Sequence, residues 1–106
     1  MRYPRSGPPI GFAVVRGDSM RPGLRAGDRL LVGYRRTPRP GDLVVARFAD
    51  GTLAVKRAIE RRGSGWWLLS DNPDEGVDSR HRGPVATEHV LAVVLARVWP
   101  RPRLRL

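Results

Sequence analysis

The sequence predicts a mainly β protein that folds as one domain, in the form of a closed or partly closed barrel or a sandwich. Short runs rich in valine, leucine and aromatic residues recur along the chain, and such residues favour strands. Segments containing glycine and proline separate these runs and are typical of turns. The chain has 106 residues, 41% of them hydrophobic, which suits one domain with a modest core. Strands are expected at residues 12–16, 28–34, 42–48, 53–60, 65–70 and 89–98.

The segments that interrupt these runs are RPG, RTPRPGD, ADG, RGSG and DNPDEG, and two of them, ADG and RGSG, predict hairpin loops. The last run, 89–98, is long enough for a helix, but its β-branched residues favour a strand. Both ends of the chain are rich in proline and arginine. We therefore predict a flexible N-terminal segment over 1–11, a folded catalytic domain over 12–99 and a basic C-terminal tail over 100–106.

The residue types in the chain exclude several kinds of site. There is no cysteine, so disulfides, thiolate metal sites and a cysteine nucleophile are excluded. The acidic run DNPDEGVD does not fit a calcium loop, because Pro73 and Arg82 stand where oxygen ligands are needed. His81 and His89 lack the spaced partners that zinc or nickel would require. We expect neither a metal nor a cofactor.

Hydropathy gives an expectation for the location of the protein. The apolar runs are short, as in LAVVLA at 91–96, whereas a membrane span needs roughly 20 apolar residues. The N-terminal residues are basic but lack the sustained apolar core and cleavage site of a signal peptide. We expect a soluble cytoplasmic protein with no membrane anchor.

The net charge of +10 raises the possibility of a basic β-barrel that binds nucleic acid. The charge is spread along the chain, and no helical or aromatic-interleaved basic stripe is visible. This pattern favours an arginine-rich composition that keeps a small protein soluble, so nucleic acid is not the expected partner.

Lys56 is the single lysine in a chain with 20 basic residues, the other 19 being arginine. An arginine stays charged in essentially every protein setting, whereas a buried lysine can lose its proton and act as a base. Strand alternation places Lys56 on one face with Ala54, Ala58 and Glu60, where its nearest neighbours are small and uncharged. On composition alone, a lysine left by chance on a solvated strand face is an equal alternative.

Ser19 is the hydroxyl that best suits such a base. It lies in VVRGDSMRPGL, where a predicted strand breaks at a tight turn, so that its hydroxyl can project clear of the sheet. Its own backbone N–H could then help to hold an oxyanion. Taken alone, the position favours a serine that caps a short helical turn.

Three segments in this order, GDSMRPGLRAGDRLLV, LAVKRAIE and SDNPDEGVDSRHRG, resemble the signature boxes of the type I signal peptidases. Those are serine–lysine proteases with a β-rich fold, related to the LexA-type autoproteases. The resemblance implies a barrel similar to signal peptidase and the LexA C-terminal domain, reduced to a minimal catalytic core without a second domain. It implies Ser19 as nucleophile and Lys56 as general base. Around the nucleophile it implies an oxyanion site and substrate pocket at Gly17, Asp18 and Met20, and it implies structural support from Arg57, Asp71, Asn72, Asp78, Ser79 and Arg80.

The chain departs from the pattern of these proteases at two hydroxyls. Many members carry a serine two residues before the aspartate of the third box, in contact with the lysine amine, and here that position is Gly76. Some members have a hydroxyl at the position of Gly17. We also expect Asp78 and Arg80 to form an ion pair behind the dyad, with Arg57 as a candidate third member.

A minimal member without an anchor is most similar to the proteases that mature nickel-type superoxide dismutase. The resemblance therefore implies a serine endopeptidase that removes an N-terminal leader from a precursor protein. A self-cleaving regulatory domain of LexA type is the alternative. It is disfavoured because 18 residues precede Ser19, too few for a cleavage segment and a DNA-binding domain.

Overall fold

The computed structural model describes residues 9–104 and 106, and it confirms the predicted mainly β class. Seven strands form one antiparallel sheet that curls into a half-barrel, in the order β1-β2-β7-β3-β4-β5-β6. The strands are β1 (Ile10–Val14), β2 (Arg29–Tyr34), β3 (Leu43–Arg47), β4 (Leu53–Arg62), β5 (Gly65–Leu69), β6 (Val85–Ala86) and β7 (Val90–Trp99). A short helix, α1 (Ser79–Arg82), and a 3-10 turn (Thr87–His89) lie before β6 and β7.

Each of the six predicted strands has a counterpart, and the last run is a strand, as its β-branched residues favoured. β1 begins at Ile10, so the last two residues of the predicted flexible segment 1–11 belong to the sheet. Residues 1–8 of that segment lie outside the described residues. The two-residue strand β6 and helix α1 were not predicted, because each is too short to show a periodic pattern.

The core lies on both faces of the curled sheet. Alternate residues of β3 join different clusters: Val44 and Ala46 belong to one, and Leu43 belongs to the other. The second cluster also contains Met20 and Leu24, which come from the turn between β1 and β2. This turn, which carries Ser19, is therefore anchored in the core rather than free on the surface.

A β-bulge between Ala58 and Glu60 shifts the pairing of β4 with β5 by one residue. Lys56 and Ala58 are buried on one face, as alternation predicts. The predicted alternation does not continue to Glu60, because the bulge inserts an extra residue at Ile59.

The described part of the C-terminal tail returns to the sheet. Arg103 exchanges two backbone hydrogen bonds with Arg97, at 2.8 and 2.9 Å. The Arg97 guanidinium donates to the Arg101 carbonyl at 2.7 Å and to the Gly23 carbonyl at 2.9 Å. Arg97 of β7 therefore links the C-terminal segment to the turn that follows Ser19.

Candidate active site

Ser19 lies in a turn that is closed at both ends by backbone hydrogen bonds. Val15 donates to the Asp28 carbonyl at 2.9 Å, and Arg21 donates to the Asp18 carbonyl at 3.1 Å. Ser19 is half-buried, and neither its hydroxyl nor its N–H bonds to another residue in the described part of the chain. The hydroxyl therefore caps no helical turn, and both groups remain available to a ligand.

The loop after β5 braces this turn from the other side. The Asn72 N–H donates to the Ser19 carbonyl at 2.9 Å, and the Asn72 side-chain amide donates to the Asp18 carbonyl at 3.1 Å. The Asp71 N–H points at the sulfur of Met20, 3.4 Å away. Asn72 thus fixes the backbone of Asp18 and Ser19, and Asp71 contacts the side chain of Met20.

The Lys56 side chain is only 2% exposed, and its amine donates a hydrogen bond to the Ser70 hydroxyl at 3.0 Å. Burial lowers the pKa of Lys56 below its usual 10.5, and the attraction of Asp78 opposes this shift in part. The physical cause is that burial removes water, which stabilises the charged ammonium much more than the neutral amine. A larger fraction of this amine is therefore neutral near physiological pH than of an exposed lysine.

Gly76 packs against both Ser19 and Lys56. A Cβ atom built on Gly76 would lie 2.7 Å from the Ser19 Cβ and 3.1 Å from the Lys56 Nζ. The Ser19 Cβ and the Lys56 Nζ are therefore separated by no more than the sum of these two distances. Gly76 has a φ of +77°, a conformation that glycine adopts without strain.

The Asp78 side chain, in the loop between β5 and α1, has no exposed surface. Burial alone would raise the pKa of Asp78, but hydrogen bonds from the Arg80 side chain and from the Ser70 and Arg80 N–H groups outweigh it and lower the pKa to about 2. The Arg80 guanidinium lies 2.9 Å from the carboxylate, so the expected Asp78–Arg80 ion pair is present. Ser79, also buried, accepts the Leu68 N–H at 2.9 Å.

Arg57 does not join the Asp78–Arg80 pair, contrary to expectation. Its guanidinium instead forms a bidentate pair with Asp71, with the shorter contact at 2.7 Å. It also donates to the carbonyls of Gly41 and Leu106, both at 2.9 Å. The reason is alternation: Arg57 points to the opposite side of β4 from Lys56, away from Asp78.

Ser19 and Lys56 line an open cleft with a volume of about 700 Å³. Gly17, Asp18 and Met20 also line it, so the residues predicted for the oxyanion site and pocket face the same space. Most of the remaining wall is apolar and comes from four strands: Phe12, Val14, Val32, Val45, Leu53 and Val55.

Two strand edges border this cleft without a strand partner in the described structure. β1 is the first strand of the sheet, and residues 12–14 line the cleft. Strand β5 pairs with β4 only from Arg57 onward. The edge of β4 on the β5 side is therefore unpaired over residues 53–56. Both edges expose backbone donors and acceptors that an extended peptide could use.

Metal-ligand clusters and membrane-spanning helices are both absent from residues 9–104 and 106. No group of three or more histidine, aspartate or glutamate side chains in these residues is placed to hold a metal ion. No helix in this part of the chain has the length and apolar content to cross a bilayer.

Ser70 is the site residue that sequence reasoning missed. The family pattern directs attention to position 76 for a hydroxyl beside the lysine, and Ser70 is only one of five serines in the chain. The signal that could have found it is strand pairing: with Arg57 opposite Leu69, Lys56 faces Ser70. That pairing depends on the bulge, which the sequence does not reveal.

Comparison with known proteins places the chain in a family. The model of the Peptidase S24-like family matches residues 4–93. This chain belongs to the Peptidase S24-like family, which confirms at the family level the predicted likeness to signal peptidases and LexA-type proteases.

Two kinds of relative share parts of the sequence. Mitochondrial inner membrane protease subunit 1 of Schizosaccharomyces pombe is 40% identical over 63 residues, covering 59% of this chain and 38% of that protein. LexA repressor 1 of Pseudomonas syringae pv. tomato is 48% identical over 61 residues, covering 57% of this chain and 29% of that protein. The LexA repressor of an Acidovorax species is 43% identical over 84 residues, covering 78% of this chain and 37% of that protein. The match thus spans about a third of the length of each relative.

Proposed function

We propose that this chain is a serine endopeptidase in which Ser19 is the nucleophile and Lys56 is the general base. The observation that carries the proposal is the Lys56 amine, which is buried and has a lowered pKa. It lies near Ser19, and both contact Gly76, which has no side chain. Membership of a peptidase family supports the same assignment.

The reaction follows the two-step chemistry of acyl transfer. The Ser19 oxygen attacks the scissile carbonyl while the neutral Lys56 amine takes the hydroxyl proton. The Ser19 N–H, which bonds to no other residue in the described part of the chain, would donate to the oxyanion that forms. The Lys56 ammonium then gives its proton to the departing amine, which leaves an acyl ester on Ser19. Water, deprotonated by the neutral Lys56, hydrolyses this ester and restores the serine hydroxyl.

The substrate segment is proposed to bind in an extended form. The unpaired edges of β1 and of residues 53–56 face the cleft, and a peptide strand between them would gain backbone hydrogen bonds from both. The apolar wall favours uncharged side chains near the cut.

The proposed substrate is a precursor protein with an N-terminal leader, and specifically the precursor of nickel-type superoxide dismutase. The support for this substrate is the likeness of the minimal catalytic core to the proteases that mature nickel-type superoxide dismutase. The proposal includes a cytoplasmic location and requires no metal, cofactor or nucleic acid for cleavage.

A LexA-type self-cleaving domain is the second candidate, supported by the identity to LexA repressors. The two candidates differ in where the cut falls. A self-cleaving domain cuts its own chain, whereas a maturation protease cuts a separate protein at many turnovers per active site.

The test is to incubate the purified protein with a leader-bearing dismutase precursor and to sequence the new N-terminus. We expect one cut, and none with Ser19→Ala protein prepared in parallel. A parallel incubation with a peptide library tests the protease activity separately from the identity of the substrate. Cleavage of library peptides without cleavage of the precursor keeps the endopeptidase and rejects the substrate. No Ser19-dependent cleavage of either rejects the endopeptidase.

A further inference from the structure

Two oppositely charged side chains, Asp50 and Arg82, meet at the wall of the cleft. Asp50 lies in the loop between β3 and β4, and Arg82 is the last residue of α1. The Arg82 guanidinium lies 3.6 Å from the Asp50 carboxylate, and both side chains are nearly half exposed. Thr52 and Leu53, at the start of β4, also line the cleft. The pair therefore lies beside the path of an extended peptide bound along the unpaired edge of residues 53–56.

The backbone holds both charged residues in place, and Asp50 is also held by its side chain. The loop that carries Asp50 is closed by the Phe48 N–H, which donates to the Thr52 carbonyl at 2.9 Å. The Arg82 N–H donates to the Asp78 carbonyl at 3.0 Å. The Asp50 carboxylate accepts the Thr52 N–H at 2.9 Å, so it keeps a hydrogen-bond donor whether or not Arg82 stays beside it.

The Arg82 guanidinium, in contrast, has donors to spare. Its contact with Asp50 at 3.6 Å is an ion pair but is too long for a hydrogen bond. Within residues 9–104 and 106 its side chain donates no hydrogen bond. A guanidinium carries five N–H donors in a planar arrangement that fits a carboxylate with two parallel bonds. Because an exposed ion pair contributes little free energy, Arg82 can turn toward a ligand at small cost.

The charges around this pair favour a negatively charged ligand. A substrate carboxylate beside Arg82 would place the guanidinium between two anions, because Asp50 stays on its other side. A substrate cation could reach Asp50 only by displacing Arg82, in a chain whose net charge is already +10. Glu75, another anion that lines the cleft, precedes Gly76, which contacts Ser19. Glu75 therefore stands beside the reaction centre rather than beside the pair.

We infer that Arg82 determines specificity by binding an aspartate or glutamate side chain of the substrate. This inference rests on the proposed function, which supplies the extended peptide and the cut at Ser19. Leu53, beside the pair, is three residues from Lys56 along β4. At about 3.3 Å per residue this separation is about 10 Å, so the acidic side chain would lie about three or four residues from the cut bond.

The test uses a peptide library in which each position in turn holds glutamate, glutamine or lysine, with cleavage followed by mass spectrometry. Glutamate and glutamine have nearly the same shape, so the ratio of their kcat/KM values reports the charge alone. In wild type we expect glutamate to exceed glutamine by about three- to fivefold at one position, the gain typical of an exposed ion pair. Lysine should be the poorest of the three there. In Arg82→Ala the preference for glutamate should disappear.

Two further variants separate recognition from a structural role and from net charge. Asp50→Asn should increase the preference for glutamate, because the carboxylate that competes for Arg82 is gone. If the pair only stabilised the fold, both of its variants would instead change all peptides alike. Arg62→Ala is the matched control for charge, because Arg62 also forms an exposed ion pair, with Glu60 at 2.8 Å, but does not line the cleft. It lowers the net charge by the same amount and should keep the wild-type preference.

A binding readout needs no cleavage. Immobilised Ser19→Ala protein should enrich glutamate peptides from the same library, and the protein that also carries Arg82→Ala should not. Enrichment that depends on Arg82, in a chain whose wild type cleaves no peptide, supports the acid-binding site and rejects the endopeptidase.

Three results would overturn the inference while leaving the endopeptidase in place. The first is Ser19-dependent cleavage with no preference for glutamate at any position. The second is a glutamate preference that survives in Arg82→Ala. The third is an equal loss of preference in Arg82→Ala and Arg62→Ala, which would assign the effect to net charge.

Discussion

Replacing Asp78 by asparagine should destabilise the fold and at the same time move the activity to lower pH. Asp78 has no exposed surface, and its carboxylate accepts hydrogen bonds from the Ser70 N–H and from the backbone and side chain of Arg80. The same carboxylate attracts the Lys56 ammonium and raises the pKa of that lysine. Asparagine keeps the shape of the side chain, but it removes the charge and replaces one acceptor oxygen by an NH2 donor, so the charge and the hydrogen bonds to that oxygen are lost together.

The magnitude follows from the pKa of Asp78, which is lowered from 3.8 to about 2. A tenfold change in the proton affinity of a group corresponds to about 1.4 kcal/mol, so the ionised carboxylate stabilises the folded protein by about 2 kcal/mol. Because the folded-state pKa is the lower one, this stabilisation is complete above the unfolded value of 3.8. It is lost as the pH falls through about 2.

Urea unfolding at about pH 7 should therefore show Asp78→Asn to be less stable by about 2 kcal/mol, with the difference shrinking in strong acid. Asp50→Asn is a suitable control, because Asp50 pairs with Arg82 at 3.6 Å but both side chains are exposed. That substitution should change the free energy of unfolding far less, since solvent screens an exposed pair. In Asp78→Asn protein labelled with ¹³C-lysine, the NMR signal of Lys56, the only lysine, should titrate at lower pH than in wild type. The pH dependence of the cleavage rate should shift in the same direction.

Two results would refute this reasoning. One is an Asp78→Asn protein as stable as wild type at neutral pH, which would mean that the buried carboxylate gains nothing from its hydrogen-bond and ion-pair partners. The other is a Lys56 titration that stays in place or moves upward, which would mean that Asp78 does not act on the amine.

The remaining predictions concern the dyad, its surroundings and the location of the protein. Ser19→Ala and Lys56→Arg should each lower kcat by about 10⁴-fold or more while the protein stays folded, because the first lacks a nucleophile and a guanidinium cannot accept a proton. Circular dichroism and turnover measured on the same samples check this, and sizeable activity in either variant would reject the assigned role. Ala54→Asp should raise the pKa of Lys56 and move the rate profile to higher pH, and a downward shift would contradict the electrostatic account. Asn72→Ala should lower kcat while costing about 1–2 kcal/mol in unfolding, because it removes the side-chain bond to the Asp18 carbonyl and the bond from the Asp74 N–H; a wild-type kcat would reject the bracing role. Cell fractionation of untagged protein should recover it without membranes, and retention through a high-salt wash would count against the proposed location.

Much of the fold could be predicted from local pattern. Alternating or continuous apolar runs between glycine- and proline-containing turns identified six strands, because residue preference and turn chemistry act over a few neighbours. The order of the strands could not be read in the same way. β7 lies between β2 and β3, and this pairing joins residues far apart in the chain. The bulge at Ile59 likewise has no composition of its own that marks it.

The sequence likewise identified the residues of the candidate site that are recognisable locally, but not those that depend on strand pairing. Lys56 and Ser19 stood out by residue type and position, and the structure places both beside Gly76 at the cleft. Ser70 was missed because its role depends on the register of β4 and β5, a property of two strands together. Arg57, the candidate third member of the Asp78–Arg80 pair, contacts Asp71 instead, because the sequence does not show that Asp71 and Asp78 lie on different sides of β4.

The central claim is that Lys56 is the base, and the most direct measurement compares two titrations of one protein. The first is the pH dependence of kcat/KM for precursor cleavage, which reports the group that must lose a proton. The second is the titration of the single ¹³C-labelled lysine. We predict that the two midpoints coincide and that both lie below 10.5, the usual value from which burial lowers the pKa of Lys56. A lysine that titrates at or above 10.5 in a protein fully active near neutral pH would contradict the account, because the base would then be another group.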